Sequence, residues 1–185
     1  VLAGLEAGEH VVIDCYGLTE EDLAEIGELA ARRGRGVLAV GNFALTVVLL
    51  QKFAEMAAKV LPEWEIIDYA GAGKADAPSG TARELASRLA QVRAPAPSNR
   101  VEHTVGPREV RGATLGGAQV HSVRLPGYVI GGEARFGMAD ERLTLRAEAG
   151  SSARPYVDGA LLAIRKVGGF TGLKRGLDEV LEGLE

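Results

Sequence analysis

A chain of 185 residues is long enough for one compact domain or for two small lobes sharing a core. With 46% hydrophobic and 25% charged residues it has the composition of a globular protein, and a net charge of −4 offers no basic face for nucleic acid. One cysteine, Cys15, excludes an internal disulfide framework and fits a reducing, cytoplasmic setting, and no apolar run reaches the roughly 18 residues of a membrane span.

The chain opens at Val1 with no basic flank before its apolar residues, so no signal peptide is expected. A first residue other than methionine is expected of a chain cut at an internal boundary. Residues 1–7 read as the end of a helix stopped at Gly8. Val11-Val12-Ile13 has the character of a short buried parallel strand. Thr19 then caps a helix whose first turn, Glu20-Glu21-Asp22, suits the positive end of the helix dipole. Leu23, Ile26, Leu29 and Ala30 form its apolar face before Gly34, and Val37–Val40 is the next buried strand. Strand, helix and strand at this spacing make a βαβ unit.

A second helix is predicted from about Ala44 to Val60, ended by Pro62, and a third strand from Trp64 to Tyr69. The loop from Ala70 to Gly80 opens into a helix over Thr81–Val92, followed by the linker Ala94-Pro95-Ala96-Pro97-Ser98. Segments 117–125, 128–138 and 141–149 then read as strands. Leu143, Leu145 and Ala147 alternate with Arg142, Thr144 and Arg146, which implies one buried face and an antiparallel sheet. Two closing helices are predicted near 155–167 and 174–184, the second with Leu177, Val180, Leu181 and Leu184 on one face. The expected architecture is α/β: a parallel βαβ lobe, an α+β lobe, and terminal helices that return to the first lobe.

Chemistry concentrates between Lys74 and Thr81. Ser79, Gly80 and Thr81 place hydroxyls and backbone N–H groups at a helix start, where a carboxylate or phosphate binds readily. Lys74 adds a positive charge or a proton, and Asp76 either orients Lys74 or caps the helix. The plainer alternative is that Ser79 and Thr81 only cap the helix while Lys74 is solvated. Elsewhere, Cys15 reads as a buried inert thiol, His121 as a structural strand residue, and Arg154 as either a site residue or a solvated strand end. His10, His103 and His121 lack metal-ligand spacing, so no metal site is expected.

Lys74-Ala75-Asp76-Ala77-Pro78-Ser79-Gly80-Thr81-Ala82 resembles the K-x-D-A-P-S-G-T-A signature of 4-hydroxy-tetrahydrodipicolinate reductases. Gly17–Leu23, Asn42-Phe43, Val120–Gly127 and Leu161–Val167 are similar to further elements of that family in the same order, so the resemblance spans nearly the whole chain. It implies NADH- or NADPH-dependent reduction of a cyclic imine dicarboxylate on the diaminopimelate route to lysine, by a cytoplasmic homotetramer. It also implies a partial Rossmann-type dinucleotide lobe at 1–44, a substrate-binding and oligomerisation domain with a mixed or antiparallel sheet at 45–152, and C-terminal helices at 153–185. By matching position, Lys74 would donate the proton and Ser79, Gly80 and Thr81 would hold a substrate carboxylate. The cofactor would run along Asp14, Cys15, Tyr16 and Gly17 and along Val40, Gly41, Asn42 and Phe43.

The chain also departs from the pattern. The family's adjacent histidines fall at Ala70 and Gly71, its G-T-T-G cofactor turn reads Asp14-Cys15-Tyr16-Gly17, and its glycine-rich phosphate loop is not among the 185 residues. Truncation and divergence each account for these differences. Two alternatives follow: a paralogue that reduces another amino-acid-derived imine or carbonyl, and a catalytically silent binding or assembly protein of the same fold.

Overall fold

The computed structural model describes residues 1–14 and 18–181. They form two compact units, one from the described residues of Val1–Val48 and Ser152–Glu185, the other from Leu49–Ser151.

The first unit is built on a three-stranded parallel sheet. After α1 (Leu2–Glu6), Gly8 turns the chain at φ 82°, and β1 (Val11–Ile13) pairs with β2 (Gly36–Ala39) in the register Val12 to Leu38. Between them runs α2 (Glu20–Arg33), whose Thr19 side chain accepts from the Asp22 N–H while the Asp22 carboxylate accepts from the Thr19 N–H. The Thr19 cap is the one the sequence predicts, and the return bond to Asp22 makes it reciprocal. Gly34 closes the helix in the left-handed region at φ 62°. Leu5, Ile13, Ile26, Ala30 and Val37 bury one side of the sheet. On the other side, Leu38, Val40, Phe43 and Val48 pack with Ala163 and Val167 of the C-terminal segment and with Leu177.

The third strand is a correction to the sequence reading. The predicted helix at 174–184 is instead β8 (Gly172–Arg175), parallel to β2, followed by a short 3₁₀ turn over Leu177–Val180. Gly172 and Gly176, at φ 92° and 97°, set the chain into the sheet, and their N–H groups donate to the Arg35 and Ala39 carbonyls. The apolar spacing that suggested a helix is met by the turn: Leu177 is buried, while Val180 and Leu181 pack at the edge of the same core. Leu184 lies outside the described residues. The first C-terminal helix, α5 (Arg154–Lys166), forms as expected; Arg154 is exposed at its start.

The second unit is a five-stranded mixed sheet in the order β4-β5-β3-β6-β7. Its strands are β3 (Glu63–Ala70), β4 (Ala113–Leu115), β5 (Ala118–Arg124), β6 (Ile130–Met138) and β7 (Glu141–Ala149). The sheet is mixed, one of the two forms the resemblance implies: β6 and β7 pair antiparallel as alternation suggested, while β3 lies between β5 and β6, parallel to the first and antiparallel to the second. α3 (Leu45–Ala58) and α4 (Gly80–Val92) are joined by an Arg88–Glu55 ion pair. Trp64, Ile66 and Asp68 of β3 are all buried, as are Ala134 and Phe136 opposite Ile66 and Trp64. Trp64 and Phe136 pack with ring centroids 5.8 Å apart.

Edge position overrides alternation in β7. Leu143 was expected inside but is 40% exposed, because β7 has a neighbour on one side alone. On the other face of β3, Glu63 and Glu65 carry charge. Glu65 hydrogen-bonds Arg111 at 2.7 Å and His121 at 2.8 Å, which gives His121 a structural partner. Burial pushes the Glu65 carboxyl up, but these two bonds and the neighbouring charges outweigh it and hold the carboxyl below its ordinary range.

Candidate active site

The Lys74 loop leaves the sheet at the C-terminal end of β3 and ends on α4. Its anchor is a residue the sequence reading did not single out. Asp68 is 1% exposed, yet it faces the loop with both carboxylate oxygens engaged. Oδ1 accepts from the Ser79 hydroxyl at 2.7 Å, and Oδ2 accepts from the Ser79 N–H at 2.8 Å and from Arg124 Nη2 at 2.7 Å. The Ser122 hydroxyl adds a longer bond of 3.3 Å. Breaking such a buried ion pair from one side typically costs about 3–5 kcal/mol, because the remaining charge is stranded.

Ser79 also caps α4: its hydroxyl accepts from the Ala82 N–H at 3.3 Å. One side chain therefore ties the helix start to the sheet. The plain capping role and an anchored anion site coexist here. Asp76 takes the first of its two expected roles, with a carboxylate 2.9 Å from Lys74 Nζ. The hydrogen bond from Lys74 holds the Asp76 carboxyl below its ordinary range. Arg124 Nη2 reaches the Asp76 carbonyl at 2.7 Å, while Nη1 donates to the Val123 carbonyl at 2.9 Å. Arg124 Nε is buried with no acceptor among the described residues, so the side chain is placed for its two terminal nitrogens.

Lys74, Ser79, Gly80 and Thr81 thus stand on one loop–helix junction in the second unit. The signal for its anchor was present in the sequence. An acid on the same stripe as Trp64 and Ile66 is a charge on an apolar face, and such a charge is normally paired.

The other predicted residues belong to the first unit. The Val40 N–H donates to the Ile13 carbonyl at 2.9 Å, so Val40 and Asp14 sit together at the C-terminal edge of the parallel strands. Open α/β sheets bind ligands at that edge. Val40 and Phe43 are buried, Gly41 and Asn42 half-buried, and the Asn42 side chain accepts from the Ala44 N–H at 2.8 Å to start α3. Cys15, Tyr16 and Gly17 lie outside the described residues. This edge fits the neutral nicotinamide end of a dinucleotide. The exposed carboxylate of Asp14 does not suit phosphate.

Comparison with known proteins now decides the family. Residues 46–181 match the family model described as dihydrodipicolinate reductase, C-terminus. The chain belongs to the dihydrodipicolinate reductase family. It is 40% identical over 179 residues to the 4-hydroxy-tetrahydrodipicolinate reductase of Mycolicibacterium vanbaalenii, a match covering 96% of this chain and 73% of that protein. The enzyme of the same name from Lactococcus lactis is 39% identical over 178 residues, covering 96% of this chain and 68% of its own. Among solved structures, dipicolinate-bound dihydrodipicolinate reductase from Paenisporosarcina sp. TG-14 superposes with a TM-score of 0.88 at 33% identity, over 96% of this chain and 67% of that one.

Within a dihydrodipicolinate reductase, the positions of the missing histidine pair gain meaning from the structure. Ala70 is 1% exposed at the end of β3, so a histidine there has no room. Neither Gly71 nor Gly73 has positive φ, so backbone conformation does not forbid a side chain at either position. A Cβ on Gly71 would stand 3.0 Å from the Tyr128 carbonyl oxygen, a contact that a small loop shift relieves. Gly71→His is therefore expected to fold with a loss within about 1–3 kcal/mol, whereas Ala70→His overpacks the sheet end and loses more. Thermal melts of the two single variants check this order.

Proposed function

We propose that this chain performs the substrate-handling part of NAD(P)H-dependent 4-hydroxy-tetrahydrodipicolinate reduction, in the diaminopimelate route to lysine. The observation that carries the reading is a lysine ammonium beside a helix start that is itself pinned to the sheet through Ser79 and Asp68. An imine accepts hydride far more readily once its nitrogen is protonated, and Lys74 is the acid placed to do so. Gly80 and Thr81 turn the positive end of α4 toward a substrate carboxylate. Both are needed for a cyclic imine that bears carboxylates.

NADH or NADPH, when bound, supplies the hydride. Val40, Gly41, Asn42 and Phe43 would hold its nicotinamide end, with Asp14 beside them. Reduction of 4-hydroxy-tetrahydrodipicolinate to tetrahydrodipicolinate takes up one hydride and one proton and releases the 4-hydroxyl as water; Lys74 would hold the proton at the ring nitrogen, its ammonium being restored from solvent. Self-association, as a tetramer, is proposed through the second unit's sheet. The support is β7, a nine-residue edge strand with exposed Leu143, which needs cover to avoid uncontrolled pairing. Among the described residues no helix is long and apolar enough to cross a membrane, and a cytoplasmic location is proposed.

Titration calorimetry with dipicolinate tests the site directly. Wild-type protein should bind it, and Lys74→Ala and Thr81→Val should each weaken binding by roughly tenfold, the scale of one lost charge-assisted hydrogen bond. Unchanged affinity in both variants would remove the anion-site reading.

A further inference from the structure

We propose that Asp68 and Arg124 are the positioning residues of the reaction, dividing the work so that one arm sets the carboxylate cradle and the other sets the proton donor. This rests on the proposed role of Lys74, Gly80 and Thr81. The cradle arm is direct: the Asp68 carboxylate accepts from both the N–H and the hydroxyl of Ser79, at 2.8 and 2.7 Å, and so fixes the residue immediately before Gly80. The donor arm is relayed. Asp68 Oδ2 holds Arg124 Nη2 at 2.7 Å, the same nitrogen holds the Asp76 carbonyl at 2.7 Å, and the Asp76 carboxylate holds Lys74 Nζ at 2.9 Å.

Burial favours these roles over a surface ion pair. The Asp68 side chain is 2% exposed and that of Arg124 15%, whereas those of Lys74 and Asp76 are 37% and 42% exposed. The reacting group is thus carried on a solvated arm, and its backbone is tethered to a rigid buried pair at the end of β3. An arm tethered in this way is sensitive at the chemical step, where small misplacements of a catalytic group lower the rate strongly. Substrate binding at the helix start does not pass through Arg124, so the two arms should separate kinetically.

The test is steady-state kinetics on the full chain with saturating nicotinamide cofactor and 4-hydroxy-tetrahydrodipicolinate as substrate. Arg124→Gln should lower kcat roughly 10- to 100-fold with KM changed less than about threefold. Ser79→Ala should do the reverse, raising KM about tenfold while keeping most of kcat. Asp68→Asn, which releases both arms, should show both defects. If Asp68→Asn does not fold, the other two variants decide the matter by themselves. Equal kcat in Arg124→Gln and wild type would overturn the inference. So would a fall in kcat in Arg124→Gln that disappears once rates are normalised to folded protein. A wild-type protein that neither turns over this substrate nor binds dipicolinate defeats the underlying function, and the positioning roles fall with it. Wild-type activity with an unaltered Arg124→Gln defeats the positioning roles alone.

Discussion

Replacing Lys74 with methionine is expected to lower turnover of 4-hydroxy-tetrahydrodipicolinate about 10²–10⁴-fold, the usual loss when a general acid is removed. Stability should hardly move. The Lys74–Asp76 pair is 37% and 42% exposed, and solvent screening leaves exposed pairs contributing little to stability. Activity and folding therefore part company in this variant, which is the mark of a group retained for chemistry. Methionine preserves the length of the side chain, so the loss reports the ammonium rather than a vacated space. A second measurement needs no substrate. Asp76 is held below its ordinary range chiefly by the hydrogen bond from Lys74, so its carboxyl should titrate higher in Lys74→Met, as followed by NMR. The sign follows from linkage: a depressed folded pKa means the pair is intact above the ordinary carboxylate range and is lost as pH falls through the lowered value. If Lys74→Met keeps turnover within about threefold of wild type, the proton comes from another donor or from water, and the departures at Ala70 and Gly71 have no catalytic consequence.

Gly159→Ala should produce one of the largest structural effects that a single methyl group can have in the first unit. The added Cβ would stand 1.9 Å from the Phe43 carbonyl oxygen, 2.9 Å from its carbon and 3.0 Å from Leu177 Cδ2. A backbone carbonyl cannot step aside as a side chain does, so α5 must lift away from the strand-to-helix turn after β2. Alanine offers about 1 kcal/mol of helix propensity over glycine. Overpacking against backbone costs about 1–3 kcal/mol and more when elements separate, so a net loss of about 2 kcal/mol is expected. For a chain of this size that is a fall in Tm of roughly 4–8 °C. The same contact supports residues 40–43, proposed for the nicotinamide, so cofactor affinity should fall along with stability. Gly137→Ala in β6 is the control: its Cβ meets nothing within 4 Å, and its Tm should stay within a degree or two of wild type. Equal melting of the two variants would show that α5 does not press on Phe43 in solution.

Local rules were sufficient wherever the decisive interactions are close in sequence. Thr19 and Asp22 are three residues apart and specify the start of α2 between them. Ser79 caps α4 from three residues before Ala82, and the Lys74–Ala82 signature resembles one family strongly enough to indicate chemistry. The parallel character of β1 and β2 was likewise legible, since strands buried on both faces need continuous apolar runs.

Tertiary structure decided the rest, for reasons of distance along the chain. Gly172–Arg175 becomes a strand only because β2, more than a hundred residues earlier, offers an open edge; its own residues carry helical spacing. The parallel pairing of β3 with β5 could not be read from alternation, which gives the buried face of a strand but not the direction of its neighbour. Exposure of Leu143 followed from the edge position of β7, which is a property of strand order. Asp68 and Arg124 are 56 residues apart. Each is unremarkable alone in the sequence, and only the sheet brings guanidinium and carboxylate together beneath the Lys74 loop. The residues proposed to touch substrate were thus written locally in one motif, while the pair that holds them in place exists only once β3 and β5 lie side by side.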